Sequence, residues 1–344
     1  METLMRKSDP HPEATSLGGA DRRTGRRRFL AQLGLLAGVG AGFPALRWSR
    51  LQGKLHRVET ARPALGTWVR VVVQDHDPAR AARAAERAFE AIRVVDAEMS
   101  IHRADSQVSR VNAAAGKGMV PVGGALVAVL ARALEEARRT DGLYDPTILP
   151  LMRLYGYYGA GHDRYPTDGE IGSALAVTGY RHVALDPGGS RLGLLRQGAG
   201  LDLGSIGKGW ALDRAVDGLR AEGVHSGLVD VGGNVFGLGA PEESEAGWSV
   251  GVLHPATGKM DRIFVLRDAA VATSGNYEQS RLLGHVRVGH LFDARRGRPA
   301  DGHLSASVMA RTGTESDVLS TVAFLMGPDR FRDHPGALES HFIG

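Results

Sequence analysis

Cysteine is absent from the 344 residues. That excludes disulfides, thiolate metal sites, a cysteine nucleophile and a lipidated cysteine anchor. Long apolar runs are missing as well. The stretch Phe29 to Phe43 is only weakly hydrophobic, is rich in Gly and Ala, and is broken by Pro44, whereas a bilayer span needs about 20 apolar residues. Neither G-x-x-x-x-G-K-[ST] nor G-x-G-x-x-G occurs, so a standard phosphate loop and a nicotinamide fingerprint are both excluded. Net positive charge is missing outside the leader. Residues 1–50 hold nine Lys/Arg and four Asp/Glu, a net +5, so the formal +4 of the whole chain leaves 4 − 5 = −1 for the remainder. A nucleic-acid surface on the body is therefore not expected.

The leader has a processing logic of its own. Arg26-Arg27-Arg28-Phe29-Leu30 fits R-R-x-F-L, and the short apolar run with its small-residue exit follows directly. This reads as a twin-arginine signal peptide, with cleavage expected near Ala41 or Ala45. The bland alternative is a basic N-terminal segment beside a short apolar helix. On the signal reading, residues 1–45 are leader and 54–344 the working part. The protein is then periplasmic or otherwise extracytoplasmic, or membrane-associated if the leader stays attached.

Periodicity in the body gives mixed α and β. Gly66–Val73 is β-branched and predicts a strand. Asp77-Pro78 starts a helix whose one face is Ala81, Ala85, Phe89, Ile92 and Val95, running to about Glu98. Leu126, Val129, Leu130, Leu134 and Ala137 mark a second helix, ended by Thr140-Asp141-Gly142. Tyr180–Val183 and Leu192–Leu195 predict short strands, and Gly227–Asn234 a strand entering a glycine turn. Trp248–Val252 and Ile263–Leu266 predict further strands. Gly159–Gly172 reads as a polar insertion. Thr314–Gly327 predicts a helix with a glycine stop, Thr314 as its N-cap and Asp317 as the acid of a near capping box. Asp317 and Thr321, four apart, project from one face.

The stretch Leu201–Arg214, L-D-L-G-S-I-G-K-G-W-A-L-D-R, organises the rest. Gly204, Gly207 and Gly209 let backbone N–H groups approach an anion, and the helix that starts there favours negative charge. Lys208 adds a cation and Asp202 an acceptor. Read alone, the stretch is equally a tight glycine turn with a solvated lysine.

Taken with its neighbours, this stretch resembles the lysine-containing motif of the ApbE family of FAD:protein FMN transferases. Other segments are similar to that family in the same order. Leu65-Gly66-Thr67 stands for M-G-T. The polar run Asp96–Asn112 matches at Asp96, Met99, Ser100, Ser106, Ser109 and Asn112, with His102 where the family has an aromatic residue near the flavin. Tyr144, Asp145 and Thr147 match an F-D-x-T element, Gly232-Gly233-Asn234 a G-G-N element, and Ala272–Tyr277 an A-T-S-G-x-Y element. His290–Pro299 resembles H-x-x-D-P-x-T-G-x-P, with Ala294 and Arg296 as departures. Ser316–Thr321 resembles A-D-A-L-S-T.

The resemblance implies one α+β catalytic unit with mixed sheets and flanking helices. It implies magnesium-dependent transfer of the FMN part of FAD to a threonine or serine hydroxyl of an acceptor flavoprotein, with release of AMP. FAD is then a substrate, and the acceptor belongs to an exported or membrane-bound redox system and carries a D-x-x-[ST]-G-A-T-like segment. Implied flavin and nucleotide contacts are Leu65, His102, Tyr144, Asp145, Thr147, Asp202, Lys208, Asn234, Thr273 and Ser274. Implied metal ligands are Ser205, Asp317 and Thr321. His290 is the first candidate base and Asp293 the second, with Lys208 at the phosphates. Two other activities fit the same residues: FAD storage without chemistry, and a magnesium-dependent FAD pyrophosphatase.

Overall fold

The computed structural model describes residues 55–159, 163–277 and 279–344. The twin-arginine segment and both expected cleavage sites lie outside the described residues. The chain begins with the hairpin β1 (His56–Ala64) and β2 (Thr67–Asp75), followed by α1 (Pro78–Met99), α2 (Gln107–Ala113) and β3 (Met119–Pro121). Next come α3 (Gly124–Arg139), α4 (Leu149–Leu154), α5 (Asp168–Leu175), β4 (Val183–Asp186), β5 (Arg191–Leu194) and α6 (Gly207–Ala221). The hairpin β6 (Gly227–Val231) and β7 (Asn234–Leu238) leads to β8 (Trp248–Leu253), β9 (Met260–Leu266) and β10 (Ala269–Gly275). A second hairpin, β11 (Ser280–Leu283) and β12 (Val286–Gly289), precedes the short β13 (Phe292–Asp293) and β14 (Arg298–Pro299). The chain ends with β15 (Ser305–Ala310), α7 (Gly313–Met326), α8 (Pro328–Phe331) and β16 (Ala337–Ile343).

A seven-stranded antiparallel sheet, ordered β1-β2-β6-β7-β10-β15-β16, forms the frame. Side chains alternate across a strand, and here both faces are buried. On β2, Val69, Val71 and Val73 enter the core beneath the helices, while Val72 joins a second cluster with Trp248, Phe264 and Leu266 of β8 and β9. The same split recurs on β6, with Val229 and Val231 on one face and Leu228 on the other. Each fully buried valine contributes about 1.5–3 kcal/mol relative to exposure. α1 lies against α6, and α7 against α6, β10 and β15. The architecture is mixed α+β, as expected.

Two hairpin turns point at the site. Gly232 and Gly233, at φ 61° and 90°, join the paired residues Val231 and Asn234. Leu65 and Gly66, at φ 51° and 71°, join Ala64 and Thr67. Positive φ at both central residues matches the twist of the flanking strands. At position 65 a leucine accepts a conformation normally left to Asn, Asp or Gly.

The structure adds to or departs from the sequence reading at four points. β1 carries no apolar alternation and was not expected; it is an exposed edge strand that pairs with β2 along its whole length. Tyr180–His182 is a single 3-10 turn rather than the start of a strand, because Tyr180 N–H donates to Asp145 and His182 N–H to Gly179 O. The polar stretch 159–172 contains the start of α5, fixed by a capping box between Thr167 and Glu170. The N-cap of α7 is Thr312, which accepts from Glu315 N–H; Thr314 Oγ1 instead donates to Asp213 at 2.5 Å.

Candidate active site

α6 and α7 cross at two glycines. A Cβ on Gly209 would collide with Gly313 O and lie 2.7 Å from Asp317 Cβ, and a Cβ on Gly313 would lie 2.6 Å from Gly209 O. Each helix supplies the acceptor for the other's first turn. Asp213 of α6 accepts Gly313 N–H at 2.6 Å and Thr314 N–H at 2.9 Å, and Asp317 of α7 accepts Gly209 N–H through Oδ2 at 2.8 Å. Burial raises the Asp213 carboxyl above its ordinary value, against the hydrogen bonds from Thr314 and Gly313 that lower it. Asp317 is thus neither an N-cap nor part of a capping box of its own helix. Its other oxygen, Oδ1, meets Lys208 Nζ at a long 3.5 Å, while that ammonium donates to Gly204 O at 2.9 Å.

Beside this junction opens a cleft of about 270 Å³. Lys208, Asp317 and Thr321 line it from the two helices, Ser205 from the turn that enters α6, and Thr273 and Ser274 from β10. The hydroxyls are networked. Ser274 Oγ lies 2.9 Å from Ser320 Oγ and 3.1 Å from Thr321 Oγ1, and Thr273 Oγ1 lies 2.7 Å from Ser307 Oγ. Ser205 Oγ donates to the hydroxyl of Tyr144 at 3.1 Å, and burial holds that phenol above its usual range.

Tyr144 and Asp145 also line the cleft. Asp145 is buried, and its oxygens take Thr147 N–H, Thr147 Oγ1–H and Tyr180 N–H at 2.8, 2.6 and 2.6 Å. Desolvation raises this carboxyl above its ordinary value, partly offset by those donors. Thr147 itself is fully buried, does not line the cleft, and accepts Gly179 N–H. Asp202 lines the cleft with both oxygens already engaged, Oδ1 by Gly204 N–H and Oδ2 by the Tyr158 hydroxyl.

At the hairpin turns, Leu65 and Asn234 complete the lining. Asn234 is buried, and its Nδ2 has no hydrogen-bond partner among the described residues, an unmet donor on a cleft-lining residue. His290 lines the cleft too. Its Nδ1 lies 3.1 Å from Gln279 O. A carbonyl only accepts, so Nδ1 carries the proton and Nε2 is left as the ring's acceptor. Burial, with a smaller push from Lys208, lowers the His290 pKa to about 4, against the Gln279 hydrogen bond that raises it. The imidazole is neutral at pH 7.

The other candidate base stands apart. Asp293 does not line the cleft; it accepts Arg295 N–H at 2.9 Å and pairs with the Arg295 guanidinium. His102 also lies outside the lining and meets the ring of Tyr158 edge-on at 5.5 Å.

Among the described residues no group of three or more His, Cys, Asp or Glu side chains could hold a metal. The donors at hand are one carboxylate with a scarcely engaged oxygen, hydroxyls and backbone carbonyls, all hard oxygens. Such a partial set fits magnesium, which keeps several waters and is completed by substrate phosphates; it does not fit zinc.

The model of the ApbE family matches residues 65–338, a range that contains every residue lining the cleft. The chain belongs to the ApbE family. A relative from Treponema pallidum named FAD:protein FMN transferase is 33% identical over 307 residues, covering 83% of this chain and 84% of that protein. One of the same name from Klebsiella pneumoniae is 30% identical over 269 residues, covering 77% and 81%. The chain is also similar to the crystal structure of the ApbE protein from Thermotoga maritima, with TM-score 0.77 and 32% identity over 83% of this chain and 94% of that one.

Two contributors to this ApbE-family site escaped the sequence. Asp213 closes the first turn of α7 from another helix, a contact with no local signature. Tyr158 lines the cleft from the edge of the segment read as an insertion. Its signal was there: Tyr155, Tyr157 and Tyr158 are three of only seven tyrosines in the chain.

Proposed function

We propose that the protein transfers the FMN moiety of FAD to a threonine or serine hydroxyl of an acceptor flavoprotein, releasing AMP. One observation carries this reading. A lysine–aspartate pair, a cluster of hydroxyls and a neutral imidazole line the same cleft. Phosphoryl transfer needs charge neutralised and oxygens positioned more than it needs covalent help from the protein.

In the proposed reaction the acceptor oxygen attacks the FMN-side phosphorus, and the bond from that phosphorus to the bridging oxygen breaks. AMP leaves with the bridging oxygen. The acceptor's proton passes to His290 Nε2, which is unprotonated at neutral pH. Lys208 offsets negative charge on the phosphates, and Asn234 Nδ2 and the Thr273 and Ser274 hydroxyls orient the substrate. Magnesium held by Asp317, Thr321 and Ser205 would neutralise pyrophosphate charge. Water is the competing nucleophile, so the acceptor hydroxyl must be held close to the phosphorus, and such positioning is worth orders of magnitude in rate. The acceptor carries a D-x-x-[ST]-G-A-T-like segment and works outside the cytoplasm. The enzyme reaches it through twin-arginine export, and replacing Arg26 and Arg27 by lysine leaves the precursor inside.

The test is mass spectrometry of an acceptor protein after incubation with enzyme, FAD and magnesium. An FMN-sized mass gain on the acceptor hydroxyl, with one AMP released per adduct, is expected, and EDTA abolishes both. Equal release of FMN and AMP with or without acceptor would make the enzyme a pyrophosphatase. Tight FAD binding without cleavage would make it a store.

A further inference from the structure

FAD carries two flat heteroaromatic rings, and the groups assigned so far serve its phosphates and reacting atoms. Among the cleft-lining tyrosines and phenylalanines, Tyr144 and Phe292 are 3% and 4% exposed, their rings spent in the core, and Tyr277, just past the end of β10, is 45% exposed. Tyr158 is different: it lines the cleft while only half-buried. Its hydroxyl donates to Asp202 Oδ2 at 2.9 Å, and the His102 ring meets it edge-on, with centroids 5.5 Å apart and planes at 66°. One contact fixes the far end of the side chain and the other braces its ring. Asp202 ties the arrangement to the phosphate region, because its Oδ1 holds Gly204 N–H at the head of the turn carrying Ser205 and Lys208. Burial and the neighbouring Asp202 keep the phenol protonated well beyond the ordinary tyrosine range, so it remains a donor to Asp202.

We propose that Tyr158 is the stacking platform for one heteroaromatic ring of FAD, with Asp202 as its tether and His102 as its brace. The inference rests on FAD being the substrate. A ring already fixed loses little freedom when a ligand stacks on it, which favours binding through preorganisation. His102 and Asp202 are positioning residues in this arrangement, and Tyr158 determines which flat ring is accepted.

The experiment measures affinity for FAD, FMN and ADP by calorimetry, together with the quenching of bound-flavin fluorescence. Tyr158→Leu keeps apolar bulk and removes the π-face. Stacking on an aromatic side chain is worth about 1–3 kcal/mol by truncation, so FAD affinity is expected to fall about 5- to 150-fold. Tyr158→Phe keeps the face, loses the tether, and is expected to stay within about threefold of wild type. If the isoalloxazine stacks there, Tyr158→Leu weakens FMN, spares ADP and relieves the quenching. If adenine stacks there, ADP weakens and FMN does not. Unchanged affinity for all three ligands in Tyr158→Leu overturns the platform, as does a Phe variant as weak as the Leu variant. A wild-type protein that does not bind FAD would instead overturn the transferase reading itself.

Discussion

Where α6 meets α7, the groups assigned to phosphate chemistry hang on backbone with no room to move; around Tyr158, the wall of the same cleft hangs on side chains held by single contacts. Gly209 and Gly313 touch backbone to backbone, and Asp213 and Asp317 lock the first turns. Among the described residues Tyr158 has one hydrogen bond and one ring contact. The difference follows from the two tasks. Phosphoryl transfer tolerates little displacement of charge, whereas a stacked ring accepts any platform of suitable height and face. The junction needs glycine at both crossing points, whereas a platform can move to another segment.

The largest effects should separate the two aspartates of the junction. Asp317→Asn keeps an oxygen for Gly209 N–H but removes the charge beside Lys208, and turnover of FAD should fall about 10²–10³-fold with little change in melting temperature. Asp213→Asn puts a donor NH₂ where backbone N–H groups already point. It should cost about 1–3 kcal/mol of stability while kcat stays near wild type. Normal turnover by Asp317→Asn across a magnesium titration would end its proposed role as ligand.

His290→Gln should lower kcat by about 10²–10⁴-fold and remove the acid limb of the rate profile near pH 4. The same residue makes stability depend on pH. The unfolded chain takes up this proton near pH 6.5, while the fold resists it down to about 4. Stability therefore declines as pH falls through that window, levels off below it, and is full above 6.5. The glutamine variant should show a flatter dependence in denaturant titrations between pH 4 and 6.5. An unchanged slope would remove His290 as its source.

Gly209→Ala should destabilise at or above the upper end of the about 1–3 kcal/mol expected for overpacking, since the added methyl meets backbone rather than a movable side chain. A melting temperature equal to wild type would show that the helices slide apart freely, erasing the contrast between the two parts of the cleft. The smallest effect belongs to Leu65. Leu65→Asn installs the preferred turn residue at φ 51° and should stabilise by about 1 kcal/mol. FAD affinity should fall at the same time if the leucine side chain touches the substrate, so the two measurements should move in opposite directions.

What could be read ahead of the structure follows separation along the chain. The helical faces of α1 and α3, the Gly232-Gly233 turn and the shared face of Asp317 and Thr321 were legible because each depends on residues near in sequence. The partner of Asp317 was not, since Gly209 N–H arrives from a helix about a hundred residues away. Thr314 looked like a cap for the same reason: its true partner, Asp213, is equally remote. β1 was hidden because an exposed edge strand needs no apolar alternation. Thr147 and Asp293 matched motif positions, yet the fold uses Thr147 to hold Gly179 and turns Asp293 toward Arg295. A motif records that a residue type is required, without recording which neighbour requires it.

The crossing of α6 and α7 also sets two helix N-termini side by side, and each is the positive end of a macrodipole worth roughly half a charge. The first turn of α6 contains no acid and carries Lys208 besides. Asp213 and Asp317 meet these positive ends directly, and Glu315 adds a third carboxylate in the first turn of α7. An anion that binds the native cleft beside Lys208 and not the unfolded chain stabilises the fold by mass action, so ligand occupancy and fold stability are coupled. FAD, or pyrophosphate alone, should then raise the melting temperature even when the acceptor is missing and no reaction occurs.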